Sequence, residues 1–186
     1  MNEHAQASAD QFKNNQVREI LRRRAESLSQ SEAEAASIET VGLLLFRLGE
    51  EWYAVRIEGV REIYSDYMVT RIPRVPDFIL GVINVRGEIV SVTDLATLMR
   101  VPSRTELDID EALPTAIIVT NGTSVSAIVV DEIGDIVDVP KESIEPPLST
   151  LDKSAAEYVS GSVFVDGRLV GIANLEKVLE PIGDSV

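Results

Sequence analysis

The pattern of apolar and polar positions in this chain occurs twice. Residues 81–95, GVINVRGEIVSVTDL, match residues 161–175, GSVFVDGRLVGIANL, with glycines, branched apolar residues and a final leucine in the same places. Residues 43–63 match residues 116–136 at an offset of 73 positions instead of 80. Each copy is therefore predicted to contain two hairpins joined by a connection, and the connection is seven residues longer in the second copy.

The apolar segments after Val41 are short, rich in Val, Ile and Leu, and separated by Gly, Pro and Asp, which is typical of short strands. Asp166-Gly167 predicts a two-residue hairpin turn, because both residue types tolerate positive φ. At the same place the first copy has Arg86-Gly87, where only the glycine is required by backbone geometry. Strands of this length and spacing predict a mainly β protein with two small barrels, whose curled sheets protect their edges.

Two polar residues are predicted to begin short helices that close each copy. Asp94 and Asn174 occupy equivalent positions, and each precedes a short segment with apolar residues at helical spacing. Both residue types are favoured N-caps.

The first forty residues have a different composition. From Asp10 to Gln30 the sequence favours a helix with a narrow apolar seam of Val17, Ile20, Leu21 and Leu28. That seam could contact a partner or the domain, or the helix could simply fray in solution. We expect residues 1–40 to be a helical extension with a flexible linker and residues 41–186 to be the duplicated domain, with its copies at about 43–100 and 116–180.

Composition excludes several classes of function. The chain has no cysteine, and its single histidine, His4, lies in the polar extension, so neither a metal site nor a cofactor is expected. No apolar run is long enough to span a membrane, and the N-terminus does not resemble a secretory signal, so we expect a cytoplasmic protein that does not insert into the membrane. The net charge is −14, of which residues 1–40 contribute −2 and the duplicated part −12, and such a surface repels nucleic acid.

Catalysis is not expected either. Asp94 is explained as a helix cap, and the segment 108–111 lacks the glycine and ligand spacing of a calcium-binding loop. The chain contains neither a phosphate-binding loop nor a nucleophile elbow. A protein-binding module is therefore the better class.

The most specific segments are RIPRVPDFILGVINVRGEIVSVTDL at 71–95 and FRLGEEWYAVRIEGVREI at 46–63, followed by SAIVVDEIGDIVDVPKESIEPP and YVSGSVFVDGRLVGIANLEKVL. Together they resemble the CheW coupling proteins of chemotaxis, over about residues 43–180. This resemblance implies two five-stranded SH3-like barrels around a shared core and no catalysis. It also implies an adaptor that couples the hairpin tips of chemoreceptors to the regulatory domain of the histidine kinase CheA, in arrays at the inner face of the membrane. A CheW-like adaptor of a non-flagellar chemosensory pathway and a detached kinase regulatory domain remain alternatives.

The resemblance also implies site residues, which we carry over only to matching positions. The receptor-binding surface would comprise Val60, Glu62, Gly81, Asn84 and Arg86. Structural alternatives exist for three of them. Val60 could belong to the core, Glu62 could be a solvated position, and Arg86 could hydrogen-bond to neighbouring loop carbonyls. The receptor interpretation further requires an open trough beside residue 86.

Two faces would meet the kinase. The first lies near Ile57, at the end of the strand that begins at Trp52, although alternation with Tyr53 and Val55 equally allows Ile57 to be buried in a barrel. The second lies at residues 144–148, where Pro146 and Leu148 are the candidates.

Overall fold

The fold was analysed in a computed structural model, which describes residues 39–65, 67–102, 115–147 and 153–180. The helix and linker predicted at residues 10–40 lie outside the described residues apart from Glu39 and Thr40, as does the candidate kinase contact Leu148.

The described residues are mainly β, as predicted. Their ten strands are β1 Thr40–Leu48, β2 Glu51–Arg56, β3 Val60–Tyr64, β4 Ile79–Val85, β5 Glu88–Asp94, β6 Ala116–Thr120, β7 Val125–Val129, β8 Glu132–Pro140, β9 Val159–Val165 and β10 Arg168–Ala173. Three short helices accompany them: α1 Leu95–Met99, α2 Lys153–Ala156 and α3 Leu175–Val178. Single 3-10 turns at Ile57–Gly59 and Lys141–Ser143 follow β2 and β8.

The strands form two five-stranded sheets that exchange strands between the two sequence copies. One sheet has the order β8-β1-β2-β10-β9, and the other has the order β3-β6-β7-β5-β4. The first hairpin of each copy thus joins the second hairpin of the other copy, through parallel pairing of β2 with β10 and of β7 with β5. We call the sheet that contains β3, β4 and β5 barrel B, and the other sheet barrel A.

An isolated bridge joins the two edges of each sheet. Thr70, after β3, exchanges two backbone hydrogen bonds of 2.9 Å with Val82 of β4. Glu145, after β8, exchanges two bonds of 2.8 Å with Ser162 of β9. The two bridges therefore lie at corresponding places, and each curls its sheet towards closure.

Glycines make this close approach possible. A Cβ atom on Gly81 would lie 2.3 Å from the carbonyl oxygen of Thr70, and Gly81 has a φ of 146°, which side chains rarely adopt. A Cβ atom on Gly161 would lie 2.9 Å from the carbonyl oxygen of Glu145. The shared pair Gly81 and Gly161 is therefore explained by the closure of the sheets.

Local predictions from the sequence are confirmed. The Asp94 carboxylate accepts hydrogen bonds from the Thr97 amide at 3.1 Å and from the Thr97 hydroxyl at 2.6 Å, and it caps α1. Asn174 caps α3 in the same way. Asp166 and Gly167 have φ values of 49° and 74°, as the hairpin prediction requires.

The core has three parts. Each barrel has its own apolar interior, which contains Val163, Val170 and Ile172 in barrel A and Ile83, Val90 and Val92 in barrel B. A larger shared cluster lies between them and is built from the opposite faces of the strands and from the closing helices. It includes Phe46, Tyr53, Leu95, Met99, Ile117, Ile128 and Val178. The predicted shared core is thus present, and it holds the two barrels together.

Candidate functional site

The tip of the β4–β5 hairpin carries the most distinctive candidate residue. Arg86 has a φ of 52° and Gly87 a φ of 94°, so both residues of the turn are left-handed. An arginine in this conformation is uncommon, because its Cβ crowds the backbone. Asn84 supports the turn, since its side-chain oxygen accepts a hydrogen bond of 2.7 Å from the Gly87 amide. Backbone geometry does not favour arginine at this place, so the turn itself does not account for the side chain.

Two ion pairs connect this tip to β3. Arg86 donates to the Glu62 carboxylate at 2.9 Å, and Arg61 donates to the Glu88 carboxylate at 2.9 Å. The Arg86 side chain is 80% exposed, whereas that of Glu62 is only 27% exposed. The partner of Arg86 is therefore a carboxylate on β3, at the other edge of the sheet from β4, and most of the Arg86 side chain remains available to solvent.

The two other candidate receptor contacts have evident structural roles. Val60 is half-buried and packs against the shared core, and its backbone pairs with Val119. Gly81 is buried where barrel B closes against Thr70. The structure thus brings Glu62, Asn84 and Arg86 together at one tip, with Val60 earlier on the same strand as Glu62 and Gly81 near the other end of β4.

An open groove lies on the outer face of the β4–β5 hairpin. It has a volume of about 510 Å³ and is lined by Tyr64, Tyr67, Met68, Thr70, Val82, Ile83, Asn84 and Ile89. Asn84 and Ile89 are cross-strand partners, and Ile89 and Met68 are 66% and 62% exposed. Large apolar side chains with such exposure often mark an interaction surface when they cluster. This groove reaches the β4–β5 hairpin at Asn84, two residues before Arg86, but neither Arg86 nor Glu62 lines it, so an open trough beside residue 86 stays a prediction.

Tyr67 is unusual among the residues that line this groove. Its side chain is 4% exposed, and its hydroxyl is the buried side-chain polar atom that has no hydrogen-bond partner among the described residues. Its ring stacks on that of Tyr64, with centroids 6.0 Å apart. Burial raises the pKa of Tyr67 above that of an exposed tyrosine, so the hydroxyl keeps its proton and can act as a donor.

Sequence reasoning did not identify Tyr67, Met68 or Ile89 as site residues. Tyr67 and Met68 lie in an irregular segment, where no periodicity indicates which side chains are buried. Ile89 could have been found, because Val90 and Val92 face the interior of barrel B and Ile89 is therefore an apolar residue at an outward position.

The corresponding hairpin of barrel A differs in side chains but not in backbone. Phe164 and Leu169 take the places of Asn84 and Ile89 and are 68% and 38% exposed. Asp166 takes the place of Arg86, and Asp135 takes that of Glu62, so two acidic residues replace the ion pair. The copies therefore share a scaffold and present different surfaces.

The candidate kinase contacts lie outside the β4–β5 hairpin. Ile57 is 39% exposed and belongs to the 3-10 turn after β2, so the alternative of burial inside a barrel is wrong. The chain leaves the strand at Arg56, and the alternation that would have buried Ile57 ends there. Pro146 is exposed, and its carbonyl oxygen accepts a hydrogen bond of 3.3 Å from the Ser162 hydroxyl.

The described residues contain no cluster of three or more His, Asp or Glu side chains placed to hold a metal ion. In the same part of the chain, no helix is long and apolar enough to cross a membrane.

Comparisons with known proteins give one consistent result. The family model described as "CheW-like domain" matches residues 42–182. The chain is 38% identical to the chemotaxis protein CheW of Klebsiella aerogenes over 144 residues, which cover 76% of this chain and 84% of that protein. It is 32% identical to the CheW of Treponema pallidum, with 69% and 76% of the two chains covered. The crystal structure of the scaffolding protein TtCheW from Thermoanaerobacter tengcongensis superposes with a TM-score of 0.67 at 30% identity, covering 80% of this chain and 98% of that one.

Proposed function

Since this chain belongs to the CheW-like domain family, we propose that it is a chemotaxis signal-transduction adaptor that couples chemoreceptor hairpin tips to the regulatory domain of the histidine kinase CheA. The observation that carries this conclusion is the family match over residues 42–182, which spans all ten strands apart from the first two residues of β1. The family consists of scaffolds, so the activity proposed for this chain is binding and not catalysis.

The receptor-binding surface in this proposal is the β4–β5 tip with its neighbours. A receptor hairpin tip presents an apolar ridge flanked by polar groups, and a matching surface needs apolar side chains between charged rims. Glu62 and Arg86 supply charges of both signs at 2.9 Å from each other, and Asn84, two residues before Arg86, lines the groove together with Ile89. Arginine at such a place offers several donors in a fixed fork and can anchor an interface.

Val60 and Gly81 take part in a different way. Val60 holds β3 against the shared core, and Gly81 allows β4 to approach Thr70. Both residues therefore help to position the strands that carry Glu62, Asn84 and Arg86.

The kinase would bind at two other places. One is the 3-10 turn with exposed Ile57, and the other is the segment after β8 with exposed Pro146, where Leu148 follows just outside the described residues. Because these residues are not part of the β4–β5 tip, the chain could hold receptor and kinase at the same time. We propose that it does so in receptor arrays at the cytoplasmic face of the membrane, to which its partners recruit it.

A reconstituted co-sedimentation assay tests this function. Vesicles would display cytoplasmic receptor fragments, and purified CheA would be added with and without the full chain. We expect CheA to sediment with the vesicles only when the chain is present, and Arg86→Ala to reduce the amount of both proteins in the pellet. The proposal fails if the chain stays in the supernatant at saturating receptor density, or if it sediments without increasing the sedimentation of CheA.

A further inference from the structure

A second ion pair joins the same two elements as the pair of Arg86 with Glu62. Arg61 of β3 donates at 2.9 Å to the carboxylate of Glu88, the first residue of β5. The side chains of Arg61 and Glu88 are 45% and 49% exposed, so both reach solvent next to the surface to which we assign the receptor. Exposed ion pairs add little to stability, so stability alone does not explain this second pair.

A β-bulge in β3 directs both pairs to the same hairpin. Val60 pairs with Val119, and Glu62 pairs with Ile118. Arg61 is therefore an extra residue between two consecutive partners. In a regular strand, adjacent side chains point to opposite faces, whereas a bulge changes the direction of a side chain. Arg61 and Glu62 are adjacent, yet each contacts the β4–β5 hairpin, so two opposite charges of β3 meet two opposite charges of the hairpin.

The second copy has the same bulge without an arginine in it. Gly134 and Asp135 of β8 together lie opposite Leu45 of β1. Gly134 takes the place of Arg61, and a Cβ atom on it would lie 2.8 Å from the ring of Trp52. Close packing thus favours glycine in barrel A, and the bulge as such does not require an arginine.

The order of charges along the hairpin is also reversed between the copies. In barrel B the positive Arg86 comes before the negative Glu88, whereas in barrel A the negative Asp166 comes before the positive Arg168. Arg168 lies over the ring of Trp52, at 5.3 Å from the ring centroid. The two ion pairs are therefore features of the first copy and not of the shared scaffold.

We propose that Arg61 and Glu88 belong to the receptor-binding surface and determine which receptors it accepts. Together with Glu62 and Arg86 they form a charge quartet of two positive and two negative side chains. The matching receptor hairpin tip places an acidic group opposite Arg61 and a basic group opposite Glu88. This inference rests on the proposed function.

Charges of this kind act mainly on specificity. Complementary charges across an interface select partners, because like charges that face each other weaken binding. A receptor tip with the reversed order of charges would place its acidic group opposite Glu88 and would be rejected. Arg61 and Glu88 are each about half exposed, so both can contact the receptor while they remain paired with each other.

Exchange of the two charges separates recognition from an internal role. Arg61→Glu combined with Glu88→Arg keeps the net charge and allows an ion pair in the reversed direction. We expect its melting temperature to stay within about 3 °C of that of the wild type, because the internal pair is exposed and is retained. Its affinity for a cytoplasmic receptor fragment should fall about tenfold, because like charges then face each other across the interface. Its affinity for the CheA regulatory domain should not change.

Lys177→Glu combined with Glu180→Lys is the matched control. It reverses another ion pair, of 3.1 Å, whose side chains are 45% and 57% exposed and which lies outside the residues assigned to either partner. Both affinities should stay at the wild-type value. A second variant, Arg61→Ala combined with Glu88→Ala, needs no reversed pair to form. It should bind the receptor fragment about threefold more weakly, and its receptor affinity should depend less on salt concentration.

Calorimetric titration of the full-length variants with receptor fragment and with the regulatory domain gives all the required affinities. Wild-type receptor affinity in the exchanged variant, or an unchanged salt dependence in the alanine variant, overturns the role of Arg61 and Glu88 and leaves the adaptor function standing. An equal loss of receptor affinity in the control variant also overturns that role. Absence of receptor binding by the wild type overturns both the charge quartet and the proposed function.

Discussion

Arg86 and Glu62 form an ion pair of 2.9 Å between the β4–β5 hairpin tip and β3, which lies at the opposite edge of the barrel B sheet from β4. The pair is asymmetric, because the arginine is mostly exposed and the glutamate is mostly covered. Glu62 therefore orients the guanidinium, and the guanidinium faces solvent where a partner can reach it. In the other copy the equivalent residues are Asp135 and Asp166, which cannot form such a pair.

Arg86→Ala should weaken receptor binding and leave the stability of the fold almost unchanged. Exposed ion pairs contribute about 0 to 1 kcal/mol, and alanine keeps the Cβ and hence the strain of the left-handed turn, so the free energy of unfolding should change by less than about 0.5 kcal/mol. Receptor association should weaken by about 1 kcal/mol or more, because an arginine anchor is lost. Urea denaturation and titration with receptor fragment measure the two quantities.

Asp166→Ala is the matched control for this variant, since Asp166 occupies the same turn position in barrel A with a φ of 49°. It should leave receptor association unchanged. A loss of several kcal/mol of stability in Arg86→Ala would instead identify Arg86 as a structural residue.

Gly81→Ala should destabilise the fold more than Gly161→Ala. In the first variant the new methyl group would lie 2.3 Å from a backbone oxygen at a φ of 146°, and we expect a loss of about 2 to 4 kcal/mol. In the second variant the corresponding distance is 2.9 Å, so a smaller shift of the strands relieves the contact. We therefore expect a loss of about 1 to 2 kcal/mol. Urea denaturation of both variants gives the comparison.

The expected loss of stability in Gly81→Ala affects how its receptor binding is interpreted. Reduced receptor binding by Gly81→Ala would follow from the displacement of β4 and would not show that Gly81 touches the receptor. If Gly81→Ala were as stable as the wild type, the close approach to Thr70 would not be what requires a glycine there.

Local features of this fold could be predicted from the sequence because they depend on residues a few positions apart. The turn at Asp166-Gly167 and the caps at Asp94 and Asn174 follow from the conformational and hydrogen-bonding preferences of those residues, and all are confirmed. The exchange of hairpins between the copies could not be predicted. Alternation indicates which side of a sheet a residue faces, but not which strand lies beside it.

For the candidate site, too, relationships between nearby residues could be predicted and relationships between distant residues could not. Asn84 and Arg86 could be placed at one tip because they are two residues apart, but their proximity to Glu62 followed only from the family resemblance. Tyr67 depends on the path of an irregular segment between β3 and β4, which no pattern in the sequence specifies. Ile57 could not be placed because the 3-10 turn that ends the alternation is formed by IEG, which has no strong turn signal.

The free energy of unfolding should fall at alkaline pH, because two buried tyrosines ionise less readily in the folded state than in the unfolded state. Burial is the main cause that raises the pKa of Tyr53, with further contributions from its hydrogen bond of 2.6 Å to Glu51 and from the charge of Glu51. Burial alone raises the pKa of Tyr67. An unfolded tyrosine has a pKa of about 10, so both states are protonated below that pH and the full stability is present. Above about pH 10 only the unfolded state loses these protons, and stability falls by up to about 1.4 kcal/mol per pH unit for each tyrosine.

Urea denaturation between pH 8 and pH 11 checks this expectation. Lysines and arginines also respond to pH, so the informative quantity is the difference between the wild type and each of Tyr53→Phe and Tyr67→Phe. Each variant should have a shallower alkaline decline than the wild type. Parallel curves for the wild type and both variants would contradict the assignment of the decline to these residues.

Ile57→Asp should weaken kinase binding and spare receptor binding. Ile57 is 39% exposed, and its side chain lies against Gly42, so a charge can be accommodated there with a loss of stability below about 1 kcal/mol. If Ile57 is a buried contact in the complex with CheA, the aspartate would be desolvated there without a partner, and affinity for the regulatory domain should fall by about 2 kcal/mol.

Ile89→Asp is the reciprocal control, since it places the same charge on the groove beside Asn84 and should weaken receptor binding only. Titration of both variants with both partners therefore locates the two interfaces, and equal losses for both partners in either variant would contradict the proposed separation of the surfaces.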